Sequence, residues 1–322
     1  MTGHEGLGDL LDAARGGRRV ALARLLSVVE NDAARARELA ALTWTARRAF
    51  SIGVTGAPGS GKSTLTDKMI STALRRYVAA GGAAPVAQVG VLCVDPTSPF
   101  SGGAILGDRV RMQDHALDDR VYIRSLATRG HHGGLSVAVP DALATLGAVG
   151  FDLVVVETVG VGQIELEVAA TADMTVVVVT PGWGDSMQAA KAGLMEIADL
   201  FVVNKADRPG AADAVRDLTQ MLDLGTGRSD GWRPPIIETV ATEGTGLDEL
   251  FDEVDRFAAH LAGPSGVARR RARAEALLRR LVAARIARSV DELAQGTPFA
   301  DAASRVAEGS LDPYSAVDSL VQ

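Results

Sequence analysis

Apolar residues along the chain follow two different periods. From residue 5 to about residue 48, Leu7, Leu10, Leu11 and then Leu22, Leu25, Leu26 and Val29 recur at three- and four-residue spacing with Arg and Glu between them. That is the stripe of helix that buries one face. From there to about residue 262 the pattern changes. Short β-rich runs, Ser51–Thr55, Val86–Val94, Val121–Ile123, Leu153–Val156, Thr175–Thr180, Phe201–Val203 and Ile236–Thr239, alternate with amphipathic helical stretches. Leu153–Val156 and Val176–Val179 contain no polar alternation, so they predict strands buried on both faces. A mostly parallel sheet covered by helices has that signature. After Gly263-Pro264 an Arg-rich helical segment runs from Val267 to about Ser289, followed by short helical pieces near 299–308 and 313–321.

The plan is therefore a helical element over 1–48, an α/β core over 49–262 and a helical arm over 263–322, with no internal repeat. The 322 residues suit about two domains, or one large α/β domain with extensions. With 47% hydrophobic and 23% charged residues, a disordered or fibrous chain is excluded. The longest apolar stretches reach roughly half of a bilayer span, and Met1-Thr-Gly-His-Glu-Gly has no basic region leading into an apolar core. A cytoplasmic protein with no membrane partner is the expectation. The net charge of −7 argues against nucleic acid as a partner. The one cysteine, Cys93, leaves no internal disulfide, and no Cys/His cluster resembles a zinc site.

Two further features point to a ligand. The 35 glycines concentrate in short loops after apolar runs, where backbone can approach a bound group. Only four of 33 basic residues are Lys (Lys62, Lys68, Lys191 and Lys205), and three of these fall in the motifs below. A compact ammonium does what a planar guanidinium cannot.

Gly56-Ala-Pro-Gly59-Ser60-Gly61-Lys62-Ser63-Thr64 follows a short apolar strand and opens an amphipathic helix. In that context G-x-x-x-x-G-K-[ST] is a phosphate-binding loop, which makes the core a P-loop NTPase fold. Backbone N–H groups and the helix N-terminus converge on the phosphates, Lys62 reaches the β/γ oxygens, and the Ser63 hydroxyl suits magnesium. Asn204-Lys205-Ala206-Asp207 directly follows a strand, at the sheet edge where open α/β folds bind ligands. A carboxylate at Asp207 accepts from the ring N–H and exocyclic amine of guanine, whereas adenine would leave it unpaired. Lys205 is expected to lay its stem over the base and Asn204 to brace neighbouring loops. Val240-Ala241-Thr242 is a candidate for the last base-contacting loop.

Carboxylates at strand ends supply the remaining candidates. Glu157 ends an apolar strand and precedes Gly160, whose N–H is placed to meet a γ-phosphate; Asp95 ends another strand, and Asp108 lies in a glycine-rich loop. Arg109 and Arg111 follow Asp108, where a guanidinium has access to a γ-phosphate or to loop-ordering ion pairs. His131-His132 reads as a solvated loop dipeptide, since adjacent histidines project differently. Cys93 reads as core packing and the Arg269–Arg273 run as an exposed or subunit-contacting face.

Taken in order, the P-loop, Val94-Asp-Pro-Thr-Ser-Pro99, Gly102–Met112, Glu157-Thr-Val-Gly-Val-Gly-Gln163, Pro181-Gly-Trp-Gly-Asp185-Ser-Met-Gln188-Ala-Ala-Lys191-Ala-Gly193, Asn204–Asp207 and Asp312-Pro-Tyr314 resemble the MeaB/ArgK/MMAA family. These are GTPase chaperones of adenosylcobalamin-dependent acyl-CoA mutases, and the resemblance covers nearly the whole chain. It implies GTP and GDP as ligands and a magnesium-linked set of Ser63, Asp95, Asp108 and Glu157. It also implies γ-phosphate contacts from Lys62 and Gly160, and a third switch over 182–193 in which Asp185, Gln188 and Lys191 answer to nucleotide and mutase. Lys62, Glu157, Gly160 and Lys191 form the implied catalytic set, with Arg109 and Gln163 among the switch residues. A homodimer through the C-terminal arm is implied, with a cobalamin adenosyltransferase as a further partner. Ile123-Arg-Ser-Leu-Ala-Thr-Arg129 looks more like the G-domain of fused isobutyryl-CoA mutases. The client therefore stays open between methylmalonyl-CoA mutase and an isobutyryl or 2-hydroxyisobutyryl type. A nickel-type metal-insertion GTPase shares the P-loop and Asn-Lys-x-Asp logic, but its expected Cys/His site is opposed by the single cysteine. A small-molecule kinase or transport-coupled ATPase has no support once Asp207 is given weight.

Overall fold

The computed structural model describes residues 6–79, 88–96, 112, 115, 117–128, 134–158, 171–183, 196–225 and 230–321, with backbone alone at 77–79, 95–96, 127–128 and 134–137. By its internal contacts the chain divides into two compact units, the first ending at Arg271 and the second beginning at Ala272.

In the first unit the helices α1 (Leu7–Arg15), α2 (Arg19–Asn31) and α3 (Ala33–Thr43) lead into β1 (Phe50–Gly56), α4 (Lys62–Ala79), β2 (Val89–Pro96) and β3 (Val121–Thr128). Then follow α5 (Gly134–Val149), β4 (Leu153–Thr158), β5 (Met174–Val179), β6 (Leu200–Asn204), α6 (Ala211–Leu224), β7 (Ile236–Thr239) and α7 (Leu247–Leu261). The long helix α8 (Pro264–Ala294) begins in this unit and continues into the second, where α9 (Thr297–Ala307) and α10 (Pro313–Val321) complete the chain. The N-terminal periodicity is thus broken into three helices rather than one. Gly17 takes φ +87° after α1, and Asp32 accepts from Arg35 N–H at 3.0 Å to cap α3.

Among the described residues, seven strands form one sheet in the order β3-β2-β4-β1-β5-β6-β7, with parallel pairing throughout. Strand parity explains why the apolar runs lack polar alternation. Val89, Val91, Leu153, Val155, Met174, Val176, Leu200 and Val202 face a core shared with Leu65, Met69 and Ile70 of α4 and with Leu250, Val254 and Phe257 of α7. Leu92, Val94, Val154 and Val156 face the other way, against Leu10, Leu22, Leu25, Leu26 and Leu39 of the N-terminal helices and Leu146 of α5. Val177, Val179, Phe201 and Val203 share that side with Ala211, Ala214 and Leu218 of α6. Both faces are dry, so both parities must be apolar.

Arg269 departs from the expected exposed basic face. Its guanidinium takes a two-point grip on Asp199 at 2.8 and 2.5 Å, and its side chain is 15% exposed against 0% for the aspartate. Asp199 also accepts from Thr175 N–H and, through its carbonyl, from the Trp232 indole N–H. This pair fastens the first turns of α8 to the start of β6.

Candidate nucleotide site

The same parity that builds the core aims the candidate site. In β4, Leu153 and Val155 face α4, so Glu157, two residues further, projects to that side at the carboxyl end of the sheet. In β1 the residue opposite Glu157 is Val54, two positions before the loop opens at Gly56. The loop then enters α4, whose second residue is Ser63. The Ser63 hydroxyl donates to Glu157 Oε1 at 2.5 Å, and both side chains are buried. A hydroxyl and a carboxylate meeting at the head of the helix are hard oxygen donors of the kind magnesium takes.

Lys62 is also buried; its ammonium donates to the carbonyls of Gly56 at 2.7 Å and Ala57 at 3.0 Å. The ammonium thus lies across the mouth of the loop, held by neutral acceptors that phosphate oxygens can replace with charged ones. Ser60 N–H donates to Ala57 at 3.1 Å, and Thr64 follows in the first turn of α4.

The Asn204–Asp207 stretch is bound to this loop from the other side. Asn204 Nδ2 donates to Ser60 carbonyl at 2.9 Å, while its Oδ1 accepts from Thr239 Oγ1 and Ala241 N–H, each at 3.1 Å. One buried amide therefore ties three segments: the phosphate loop, the end of β7 and the Val240–Thr242 loop. An added Cβ at Gly61 would lie 2.4 Å from Asn204 Nδ2, so only glycine lets the two segments close. Lys205 Nζ reaches the Gly59 carbonyl at 2.7 Å. Among the described residues Lys205 is the one non-glycine with positive φ, at 61°, a strain of the kind held at ligand sites. Asp207 is exposed in the turn that follows.

Gly56, Gly59, Ser60, Gly61, Lys62, Ser63, Thr64, Glu157, Asn204, Lys205, Asp207 and Ala241 are thus gathered at one edge of the sheet. Asp95 is described only in its backbone, two positions beyond Cys93, which lies opposite Glu157. Asp108, Arg109, Arg111, His131, His132, Gly160, Gln163, Asp185, Gln188 and Lys191 lie outside the described residues. Thr239 was missed by the sequence reading; it is the last residue of a strand, but nothing local marks its hydroxyl as the partner of Asn204. Among the described residues, no group of three or more His, Cys, Asp or Glu is placed to hold a metal ion, and no helix is long and apolar enough to cross a membrane.

Comparison with known proteins adds to this geometry. Residues 22–295 match the model of a family described as methylmalonyl-CoA mutase-associated GTPase MeaB. A Pyrococcus horikoshii protein named as a GTPase is 46% identical, over 98% of this chain and 97% of its own length. The mouse mitochondrial homologue of the methylmalonic aciduria type A protein is 35% identical, over 75% of this chain and 60% of its own. Among solved structures, one described as a LAO/AO transport system kinase superposes with a TM-score of 0.71 at 25% identity, covering 100% of this chain and 98% of that one.

Proposed function

The chain belongs to the MeaB family of mutase-associated GTPases, and on that premise we propose that it is a magnesium-dependent chaperone of an adenosylcobalamin-dependent acyl-CoA mutase. GTP hydrolysis in this reading gates cobalamin loading and protects or reactivates the client. The observation that carries the nucleotide part is the junction of Lys62, Ser63 and Glu157 with Asn204 and Lys205, because it sets a phosphate cradle beside a base-recognition segment.

Asp207 accepts from guanine, and Lys205 lies along the loop beside it. Lys62 and the N-terminus of α4 hold the phosphates, where fixed positive charge acts on the charge that develops during transfer. Ser63 and Glu157 would hold magnesium, with Asp95 and Asp108 completing the set; when bound, the ion would neutralise charge on the phosphates. Glu157 also orients water, and Gly160 donates to the γ-phosphate.

The segment 182–193, with Asp185, Gln188 and Lys191, is the contact through which nucleotide state reaches the mutase, with Arg109 and Gln163 in the other switch segments. A homodimer forms through 263–322. In its long helix Leu278, Val282, Ile286 and Val290 recur every fourth residue, each more than half exposed, an apolar stripe that a second copy would cover. The protein is cytoplasmic in this reading, and a cobalamin adenosyltransferase is a further partner.

The test is steady-state GTP hydrolysis with and without methylmalonyl-CoA mutase and an isobutyryl-type mutase, on wild type and Lys191→Ala. Stimulation of wild type by one mutase, largely lost in Lys191→Ala at GTP affinity within about threefold, is expected if the switch makes partner contact rather than ground-state nucleotide contact. No stimulation of wild type by either mutase removes the client assignment.

A further inference from the structure

Tryptophan is seldom buried completely, yet Trp183 is only 7% exposed. It sits four residues past β5, in a turn closed by its own N–H to Thr180 carbonyl at 3.2 Å. The register of β5 on β1 pairs Val178 with Gly56, so this turn leaves the sheet next to the start of the phosphate loop. The indole belongs to the apolar cluster of Val179, Phe201, Val203, Ala211 and Ala214, against which Ala206 also packs. The indole thus packs with Phe201 and with small residues drawn from two connections.

Those two connections are Thr180–Trp183 and the 205–210 loop that carries Asp207. Pro181 and Gly210 approach so closely that an added Cβ at Gly210 would lie 3.6 Å from Pro181 Cβ. The near end of the loop is fixed from the opposite side by Ala206 N–H to Thr239 carbonyl at 3.0 Å. Asp207 itself is exposed, so its place depends on the residues that flank it. On one side Ala206 packs against the cluster that contains Trp183, and on the other Ala211 belongs to it.

We infer that Trp183 is a positioning residue for guanine recognition: its indole sets the loop that aims Asp207, and it joins that loop to the segment leaving β5. The inference rests on the reading of Asp207 as the guanine acceptor. It follows that movement at 180–183 alters base affinity more than phosphate affinity.

The test uses the full chain and compares the affinities of GTP and inosine triphosphate, which lacks the exocyclic amine. Three variants are measured, Trp183→Leu, Trp183→Phe and Asp207→Asn, with thermal midpoints recorded alongside. Trp183→Leu is expected to cut the preference for GTP over inosine triphosphate at least about fivefold, because the amine-to-carboxylate contact is the one that goes out of place. Trp183→Phe, which keeps an aromatic ring in the cluster, should stay within about twofold of wild type and serves as the milder variant if leucine weakens folding. Equal loss of both nucleotides, or no loss, while Asp207→Asn narrows the preference, overturns the role of Trp183 alone. An unchanged preference in Asp207→Asn overturns the base reading beneath it.

Discussion

Ser63 and Glu157 stand 94 positions apart in the chain, and the hydroxyl of one donates to the carboxylate of the other at 2.5 Å. Their meeting follows from strand order. With β4 beside β1, the carboxyl ends of both strands open at one level, and α4 starts there. Parity then aims Glu157 toward α4 rather than toward the N-terminal helices. The arrangement joins the first turn of a phosphate-binding helix to a carboxylate through a single proton, and a divalent cation would take both oxygens.

Hydrolysis should depend on these groups in different ways. Lys62→Ala removes the cation that lies over the loop and should lower turnover by roughly a hundredfold or more. Glu157→Ala should reduce kcat more than GTP affinity, because water is oriented mainly in the transition state. Single-turnover hydrolysis together with nucleotide affinity separates the two, and unchanged turnover in both variants would remove the site as described.

Base choice should follow Asp207. Asp207→Asn turns an acceptor into a donor facing the guanine amine and should weaken GTP binding by about 2–4 kcal/mol, with phosphate contacts intact. Xanthosine triphosphate, which presents a carbonyl there, should recover part of the loss. Calorimetric titration of both nucleotides decides the matter; wild-type GTP affinity in the variant rules out the assignment.

The Arg269–Asp199 pair should matter for stability out of proportion to its size. Arg269→Met leaves a carboxylate with 0% exposure without its countercharge and should cost about 3–5 kcal/mol. Adding Asp199→Asn removes the charge as well, so the double variant should recover part of that loss. Denaturant unfolding of the two single variants and the double provides the cycle, and additive losses would mean that the pair acts as two independent contacts.

Asp141 carries a pH effect of opposite sign to the usual carboxylate. Burial pushes its carboxyl up, against the opposing pull of the Trp44 indole N–H that it accepts at 3.1 Å. The folded chain therefore binds this proton more tightly than the unfolded chain. The stability it contributes is fully present below the unfolded pKa and declines as pH rises from there through the folded value. Asp141→Asn keeps an acceptor for Trp44 and cannot ionise. It should raise the thermal midpoint at pH near 7.5, with the gain shrinking toward the unfolded carboxylate range near pH 4. A gain that is constant across that range would place the effect elsewhere.

Much of the architecture is local and was legible in the residues. All seven strand runs appear, from Phe50–Gly56 to Ile236–Thr239, and most plainly β4, β5 and β6, which are dry on both faces and so apolar at both parities. The phosphate loop and the Asn204–Asp207 stretch were legible too, since glycine, lysine and aspartate at those spacings serve chemistry that other residues do not. Boundaries were less so: Val121–Ile123 lengthens to Thr128, and the N-terminal run breaks at Gly16-Gly17 and Asp32, where local capping overrides the stripe.

What the sequence by itself determined is the set of elements and the residue types each one brings to the candidate site. Which of them meet was decided by the tertiary structure alone. Ser63 finds Glu157 through the β4–β1 register, and Asn204 finds Ser60, Thr239 and Ala241 because β6 lies between β5 and β7. Arg269 looked like one more charge in an exposed run until Asp199 stood opposite it, and nothing along the chain marked Trp183 for the buried cluster it shares with Phe201 and Ala211. The physical reason is the same in each case. Periodicity and motif spacing report the environment of a residue along its own element, whereas partners brought in from distant positions depend on strand order, register and the volume that neighbouring side chains leave.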